Sequence, residues 1–143
     1  MEPQQPIYPH WMRGLLLLMS GYNILWAAFI VWFPSTFYKW VTGIETDAPS
    51  IITWQGRGVL VMGIVYLICA LHPGKFWYLM IFGALTKLAG GIWFYFHILD
   101  QKVGDKALFH LVMNDGIWIP ILVIMALRGR QYLANTKNQP NLT

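Results

Sequence analysis

Residues 76–98 read FWYLMIFGALTKLAGGIWFYFHI, an apolar run with one charged side chain, Lys87, at its centre. A helix needs about 20 apolar residues to cross the roughly 30 Å hydrocarbon core of a bilayer, so this run is long enough to span a membrane. Three further apolar runs of similar length occupy residues 11–33, 51–71 and 107–127. The pattern predicts an all-α integral membrane protein, folded as an antiparallel four-helix transmembrane bundle.

The composition of the chain differs from that of a soluble domain. Hydrophobic residues make up 57% of the sequence, charged residues only 11%, and the mean hydropathy is +0.48. Soluble domains are about 25% charged, so we expect the lipid bilayer to cover the apolar surface of this protein. No nucleic-acid partner is expected, because no basic patch of the required kind is present. The single cysteine, Cys69, excludes an internal disulfide.

The chain divides into three parts. Residues 1–10 form a proline-containing N-terminal lead-in, residues 11–130 the four-helix transmembrane domain, and residues 131–143 a polar C-terminal tail that we expect to be frayed. Between the first two runs, the segment FPSTFYKWVTG at residues 33–43 predicts a short interfacial helix. Its aromatic residues Phe37, Tyr38 and Trp40 are predicted to lie in an aromatic belt at the membrane surface.

Basic residues are divided unevenly between the two sides of the predicted bundle. Four spans place both termini and the turn at residues 72–75 on one side, and that side carries Arg13, Lys75, Arg128, Arg130 and Lys137. The loops of the other side carry Lys39, Lys102 and Lys106. Because loops with more lysine and arginine stay in the cytoplasm, we predict that both termini are cytoplasmic.

Two ionisable residues lie deep inside the apolar runs. Lys87 is at the centre of the third run, and Asp115 is close to the centre of the fourth. A lone charge at the bilayer centre costs at least about 2.5–3.5 kcal/mol, and Lys87 is too far from either end of its run to reach the interface. We therefore predict that Lys87 and Asp115 pair in the interior of the bundle.

Further polar residues accompany this pair. Asn23 and Asn114 are predicted at the same depth, which gives a layer of four polar groups. A second group of polar residues is predicted nearer the outer face, at Gln55, Arg57, His97 and His110. For each residue of this second group alone, an ordinary interfacial or structural role is the favoured interpretation. For the Lys87–Asp115 layer, a functional role is favoured.

The spacing of the fourth run suggests how the two polar groups connect. His110, Asn114 and Trp118 are separated by four residues, so a regular helix places them on one face. This pattern predicts a polar track from the outer face to the middle of the membrane, which we expect to give a ligand its route into the layer. Glycines are spaced for close helix approach, and packing is expected to explain all seven of them, Gly14, Gly21, Gly56, Gly63, Gly83, Gly90 and Gly91.

Metal and nucleophile chemistry have weak support in the sequence. His97 and His110, with Asp100 or Asp115, provide nitrogen and oxygen ligands, but no H-x-x-x-H pair, E-x-x-H motif or cysteine cluster is present. Haem between the two histidines is less favoured, since both are near the membrane edge. No Ser-His-Asp or Cys-His arrangement is evident. We therefore predict no metal site, and no cofactor is required.

Three segments resemble a known family: WQGRGVLVMGIVYLICALHPGKFW, LTKLAGGIWF and FHLVMNDGIWIPILV. They resemble small four-helix bacterial membrane proteins of the DoxX-like superfamily, especially a subgroup of unknown function. The resemblance covers most of residues 11–127 and implies a multi-pass protein of the bacterial inner (cytoplasmic) membrane, associated with redox complexes that handle quinones or sulfur compounds. Some relatives are labelled alkyl hydroperoxide reductase, but the cysteines of that chemistry are absent here. The resemblance implies that Lys87, Asn114, Asp115 and Trp118 form the site.

Three functions are compatible with these features. The first, which we prefer, is a binding or accessory subunit that holds a lipophilic or anionic molecule, such as a quinone or lipid, at Lys87, Asn114 and Asp115, beside a larger membrane redox complex. The second is an enzyme in which Asp115 and Lys87 exchange protons with a lipophilic substrate that Arg57 and His110 orient. The third is a transporter or proton path, which requires a homodimer because four short helices are few for a solute pathway.

Overall fold

The computed structural model describes residues 8–100 and 102–137, and all regular secondary structure in these residues is helical. The helices are α1 (His10–Trp32), α2 (Pro34–Thr42), α3 (Ser50–Leu71), α4 (Trp77–His97), α5 (Asp105–Leu111) and α6 (Trp118–Lys137). A π-helical turn, Val112–Gly116, lies between α5 and α6. The prediction of an all-α fold is confirmed for this part of the chain.

Four helical segments are long and apolar enough to cross a membrane: His10–Trp32, Ser50–Leu71, Trp77–His97 and Asp105–Asn135. The first three agree with the predicted runs to within one residue at each end. The fourth is longer than the predicted 107–127, because helical structure continues to Lys137. Residues 131–137 of the predicted tail thus continue this helix. The rest of that tail and residues 1–7 of the lead-in lie outside the described residues.

The short helix predicted after the first span is present as α2. It begins at Pro34, where proline is favourable because the first helical residue needs no N–H partner. It ends at Thr42, and the next residue, Gly43, has a φ of 74°. Glycine adopts this left-handed conformation without a steric penalty, so the residue lets the chain leave the helix.

Helix α1 packs mainly against α3, and α4 packs mainly against α6. A Cβ placed on Gly63 would lie 2.9 Å from the Ile24 side chain, and one placed on Gly56 would lie 2.8 Å from the Ile30 side chain. Near the start of α1, Arg13 donates hydrogen bonds to the last carbonyl groups of α3. These hydrogen bonds bring the start of α1 close to the end of α3.

Packing explains only part of the predicted glycine pattern. Gly56 and Gly63 let α1 and α3 approach closely, and a Cβ on Gly83 would lie 2.6 Å from the ring of Tyr66. No atom lies within 4 Å of a Cβ placed on three of the other glycines, Gly14, Gly21 and Gly90. The prediction that tight packing accounts for all seven is therefore wrong, since these three lie on open helix surface.

The apolar core consists of two clusters, with polar residues between them along the chain. In α1, Leu16 belongs to one cluster and Ile30 to the other, and Asn23 lies between them. In α4, Lys87 lies between Ala84 and Phe94 in the same way. The polar layer thus separates two apolar blocks, which fixes its depth in the molecule.

Helix α2 contributes to the second cluster rather than to a surface belt. Phe37 is fully buried, and its ring packs against the rings of Phe94 and His110. Phe37 is a core residue because α2 folds back against α1 and α5, and its depth relative to a membrane surface stays a prediction. By contrast, large apolar side chains such as Leu25 and Trp32 are exposed on the outer surface of the spans. Exposed apolar surface of this kind is typical of a membrane or protein interaction site.

The lead-in is anchored to the bundle at Tyr8. Its side chain is buried, and its hydroxyl group donates a hydrogen bond of 3.4 Å to the carbonyl oxygen of Met125. Burial raises the pKa of Tyr8 to about 12. The hydroxyl group therefore stays protonated at neutral pH and ties the start of α1 to α6.

Candidate functional site

The predicted Lys87–Asp115 pair is present. Lys87 Nζ lies 3.3 Å from Asp115 Oδ1, and the lysine side chain is almost completely buried. Lys87 is at the midpoint of α4, whereas Asp115 belongs to the π-helical turn. The pair therefore joins two helical segments of the bundle at the level between the two apolar clusters.

Both predicted asparagines also lie in this layer. Lys87 Nζ donates to the backbone carbonyl of Asn114 at 2.5 Å and to Asn23 Oδ1 at 3.4 Å. The Asn23 amide nitrogen donates to the carbonyl of Met19, which orients the Asn23 oxygen towards the lysine. The Asn114 amide nitrogen donates to Asp115 Oδ1 at 3.0 Å. One ammonium group thus binds three oxygen atoms from three separate residues.

The π-helical turn determines how these groups are presented. Ile117 N donates to the carbonyl of Val112, five residues earlier, instead of to that of Met113. The Met113 carbonyl accepts a hydrogen bond of 2.9 Å from Trp118 Nε1 instead. Trp118, a predicted site residue, is therefore buried as a support of the turn. The prediction of a regular helix over residues 107–127 is wrong at this turn.

A cavity of about 480 Å³ adjoins the polar layer. Its walls come from α3 and α4, including Met62 and Phe82. Five of the predicted site residues also border it, Asn23, Gln55, Lys87, Asn114 and Asp115. The structure therefore combines a mostly apolar chamber with polar side chains from four helical segments.

The cavity opens between α3 and α4 on the outside of the bundle. Val61 and Phe82 border it, and they are 57% and 54% exposed. Gly58 and Gly90 also border it, and a Cβ on either would meet no atom within 4 Å. The absence of side chains at these glycines keeps the space between the two helices free.

Two polar atoms at the cavity are buried without a partner among residues 8–100 and 102–137. They are Gln55 Oε1 and Asn114 Oδ1. A buried hydrogen-bonding atom that has no partner costs about 1–3 kcal/mol, so such atoms are normally satisfied by protein, water or ligand. Both are acceptors, and both residues line the cavity.

His110 does not belong to this site. It is 1% exposed and lies among the rings of Trp26, Phe37 and Phe94. Its Nδ1 accepts a hydrogen bond of 3.2 Å from Trp26 Nε1. The predicted polar track through His110 is therefore wrong, because aromatic side chains enclose this residue and the π-helical turn breaks the spacing to Asn114.

Arg57 and His97 also lie away from the cavity. Arg57 is exposed, with its guanidinium group 4.5 Å from the centre of the Trp54 ring. His97 is exposed and stacks on Trp93. Neither residue lines the cavity. The structure thus brings together six predicted residues, including Trp118 as a support, and places His97, His110 and Arg57 elsewhere.

A second, smaller cleft of about 280 Å³ lies on the other side of the pair. Lys87 and Asp115 border both spaces, and Gly91 and Ile119 are among the mainly apolar residues of the second cleft. The ion pair is therefore a partition between two outward-facing spaces. Neither opening is predictable from the sequence, since the gap between α3 and α4 depends on how the two helix pairs meet.

The site residues that were not predicted from the sequence mostly line the cavity. Thr86 borders it, and its hydroxyl group donates to the Gly83 carbonyl within its own helix. Among the described residues, no group of three or more His, Cys, Asp or Glu is placed to hold a metal ion. Comparisons with protein-family models, with curated proteins and with solved structures gave no match to this chain.

Proposed function

We propose that this chain is a membrane-embedded binding protein that holds a small lipophilic molecule in the cavity between α3 and α4. The polar head of the ligand lies against Asn114 and Gln55, and its apolar part lies along α3 and α4. The observation that carries this proposal is a mostly apolar cavity whose lining includes two residues, Gln55 and Asn114, with buried polar atoms that have no partner among the described residues. An exposed rim gives such a molecule lateral access from the bilayer.

The proposed membrane arrangement is an antiparallel four-helix bundle with both termini in the cytoplasm of a bacterial inner membrane. Contacts of Ile24 with Gly63 and of Ile30 with Gly56 support opposite directions for α1 and α3. Contacts between Phe94 and His110, and of Trp77 with Gly129, support the same for α4 and the segment that contains α6. The larger number of basic residues at the ends and at the turn of residues 72–75 supports the orientation.

Cysteine labelling tests this orientation. In a Cys69→Ser background, a cysteine at Gly104 is expected to react with a membrane-impermeant reagent added outside intact cells. A cysteine at Lys137 is expected to react only after the membrane is opened. The opposite pattern would reverse the proposed topology, and labelling of both positions from outside would contradict a four-span arrangement.

The proposed wider role is that of an accessory subunit in the DoxX-like superfamily, acting beside a membrane redox complex. The segments LTKLAGGIWF and FHLVMNDGIWIPILV support this proposal, because they contain Lys87 and Asp115 of the observed pair. A quinone-like molecule or a lipid is compatible with the proposed binding mode. Crosslinking in native membranes, followed by identification of the linked chains, tests for a partner complex or a homodimer.

Mass spectrometry of molecules released from the purified protein tests the binding function itself. Wild-type protein, purified in mild detergent, is expected to release one lipophilic species in near-stoichiometric amount. A Gly58→Leu variant fills the cavity mouth and is expected to release much less of it. Gly21→Leu is the matched control, because Gly21 is on open helix surface away from the cavity. Equal release from all three proteins would contradict the proposal.

A further inference from the structure

The ammonium group of Lys87 has no hydrogen-bond capacity left for a ligand. A protonated lysine has three N–H donors. These donors are matched by three acceptors: Asn23 Oδ1, the Asn114 carbonyl and Asp115 Oδ1. The positive charge of Lys87 is also balanced by Asp115. An anionic ligand head would therefore find neither a free donor nor an uncompensated charge at this lysine.

The side chain of Asn114 borders the cavity and contains an acceptor without a partner among the described residues. Its amide nitrogen is held by Asp115 Oδ1, and this hydrogen bond determines which end of the amide is the oxygen. The residue is only 2% exposed, and its Oδ1 has no partner in the part of the chain that the structure describes. Gln55 Oε1, which comes from a different helix, is also buried without a partner among the described residues, but no hydrogen bond determines the orientation of the Gln55 amide. The acceptor whose identity the structure determines is therefore Asn114 Oδ1.

We infer that the ligand is a lipophile whose head donates hydrogen bonds through hydroxyl groups, and that in a quinone couple the site selects the reduced, dihydroxy form. This inference rests on the proposed function. A hydroxyl group satisfies Asn114 Oδ1 or Gln55 Oε1, whereas a carbonyl, carboxylate or phosphate oxygen would face an acceptor. Two acceptor oxygen atoms with no proton between them repel each other. Each has also lost the hydrogen bonds that it makes to water outside the cavity.

The inference departs from the sequence-based expectation of a lipophilic or anionic molecule. A lysine in the membrane alone suggests an anion site. The structure instead uses Lys87 to hold the π-helical turn and Asn23 in place. The lysine positions the acceptors and does not bind the ligand.

Three probes with the same ring and alkyl chain separate donor from acceptor recognition: an alkyl hydroquinone, its dimethyl ether and the corresponding quinone. Each is titrated into the full-length protein in lipid nanodiscs under reducing or neutral conditions as the probe requires. At least one additional hydrogen bond is expected to give the hydroquinone an affinity about tenfold higher than that of the other two. Empty nanodiscs give the correction for partitioning into lipid.

Single substitutions test which residues cause the preference for the hydroquinone. Gln55→Leu removes one acceptor without touching the Lys87 network, and Asn114→Leu removes the other. Each is expected to bring the hydroquinone towards the affinity of its dimethyl ether. Thr86→Val is the matched control, since Thr86 lines the same cavity but its hydroxyl group is bonded within α4. This variant is expected to keep the full preference.

The outcomes separate this inference from the proposed function. Equal binding of the three probes, or tighter binding of the quinone, would overturn the donor preference and leave a lipophile-binding cavity. A preference that survives in both Gln55→Leu and Asn114→Leu would also overturn it. Binding of none of the probes above the level of empty nanodiscs would overturn both the inference and the proposed function.

Discussion

The two faces of α3 meet their neighbours in opposite ways. On the α1 side, Gly56 and Gly63 leave no space for even one additional carbon atom. On the α4 side, Gly58 has no neighbour within 4 Å and borders a cavity of about 480 Å³. The same residue type serves close packing on one face and keeps a space open on the other.

This difference shows that glycine spacing alone does not distinguish an interface from a binding site. Close approach between α1 and α3 replaces lipid with helix contacts, which is the usual basis of association in a bilayer. Between α3 and α4, close contact occurs at Gly83, where the Tyr66 ring packs, and the rest of the gap is open. At the head of the gap, hydrogen bonds of Lys87 hold the segments together instead.

The largest expected effect comes from breaking that polar layer. Lys87→Met leaves Asp115 buried without its counterion, and Asp115→Leu does the same to Lys87. Each single change is expected to destabilise the fold by about 3–5 kcal/mol, and the double change is expected to recover a large part of that loss. Unfolding of all four proteins in one lipid or detergent system measures the coupling. Additive losses would show that the two residues do not stabilise each other.

The second-largest expected effect is a difference in stability between glycine substitutions on the two faces of α3. A Cβ at Gly63 would lie 3.3 Å from backbone atoms of Ser20 and Ile24, which cannot move aside easily. We expect Gly63→Ala to destabilise the protein by about 1–3 kcal/mol. Gly58→Ala, five residues earlier, is expected to change the stability by less than about 0.5 kcal/mol. Equal losses in the two variants would mean that the α3–α4 gap closes in the folded protein.

The helices and the ion pair were predictable from the sequence for physical reasons. Apolar runs of membrane-spanning length define helices, and a buried lysine requires an oxygen-rich partner, which identified Asp115. The π-helical turn was not predictable, since its extra residue per turn leaves no mark in the spacing of His110, Asn114 and Trp118. This turn, together with the folding back of α2, explains why His110 was assigned to the wrong environment.

The exposure of individual polar residues was the other feature that the sequence did not predict. Arg57 and Gln55 are two positions apart at the start of α3, and both were predicted to be near the site. Only Gln55 lines the cavity, whereas Arg57 stacks on Trp54 outside it. Which of two neighbouring polar residues faces inward depends on the rotation of α3 against α1, and that rotation is determined by the glycine contacts.

A substitution on the side of α4 that borders the cavity is expected to change the stability less but to reduce ligand binding specifically. Gly90→Leu places a side chain into the gap from α4, opposite Gly58. We expect the stability to stay within about 0.5 kcal/mol of wild type, while retention of the ligand falls at least severalfold. Gly14→Leu is the matched control on open surface of α1. Undiminished retention in Gly90→Leu would show that the gap is not the binding space.

The smallest effect is expected for the polar residues that lie outside the cavity. Arg57→Met and His97→Phe preserve apolar bulk and remove the polar groups. Because neither side chain lines the cavity, both variants are expected to retain the ligand as wild type does. Loss of ligand in Arg57→Met, with the fold intact, would place this arginine in the site and restore the role suggested by its sequence position.

An experimental structure determined in lipid tests the central claim most directly, because the claim is that the space between α3 and α4 is open and occupied. The predicted result is non-protein density between these helices, with a polar head within hydrogen-bond distance of Asn114 Oδ1 and Gln55 Oε1. The contradictory result is a closed gap in which Val61 and Phe82 pack together. In that case both acceptors would be satisfied by protein groups, and the polar layer would serve only to hold the helices in register.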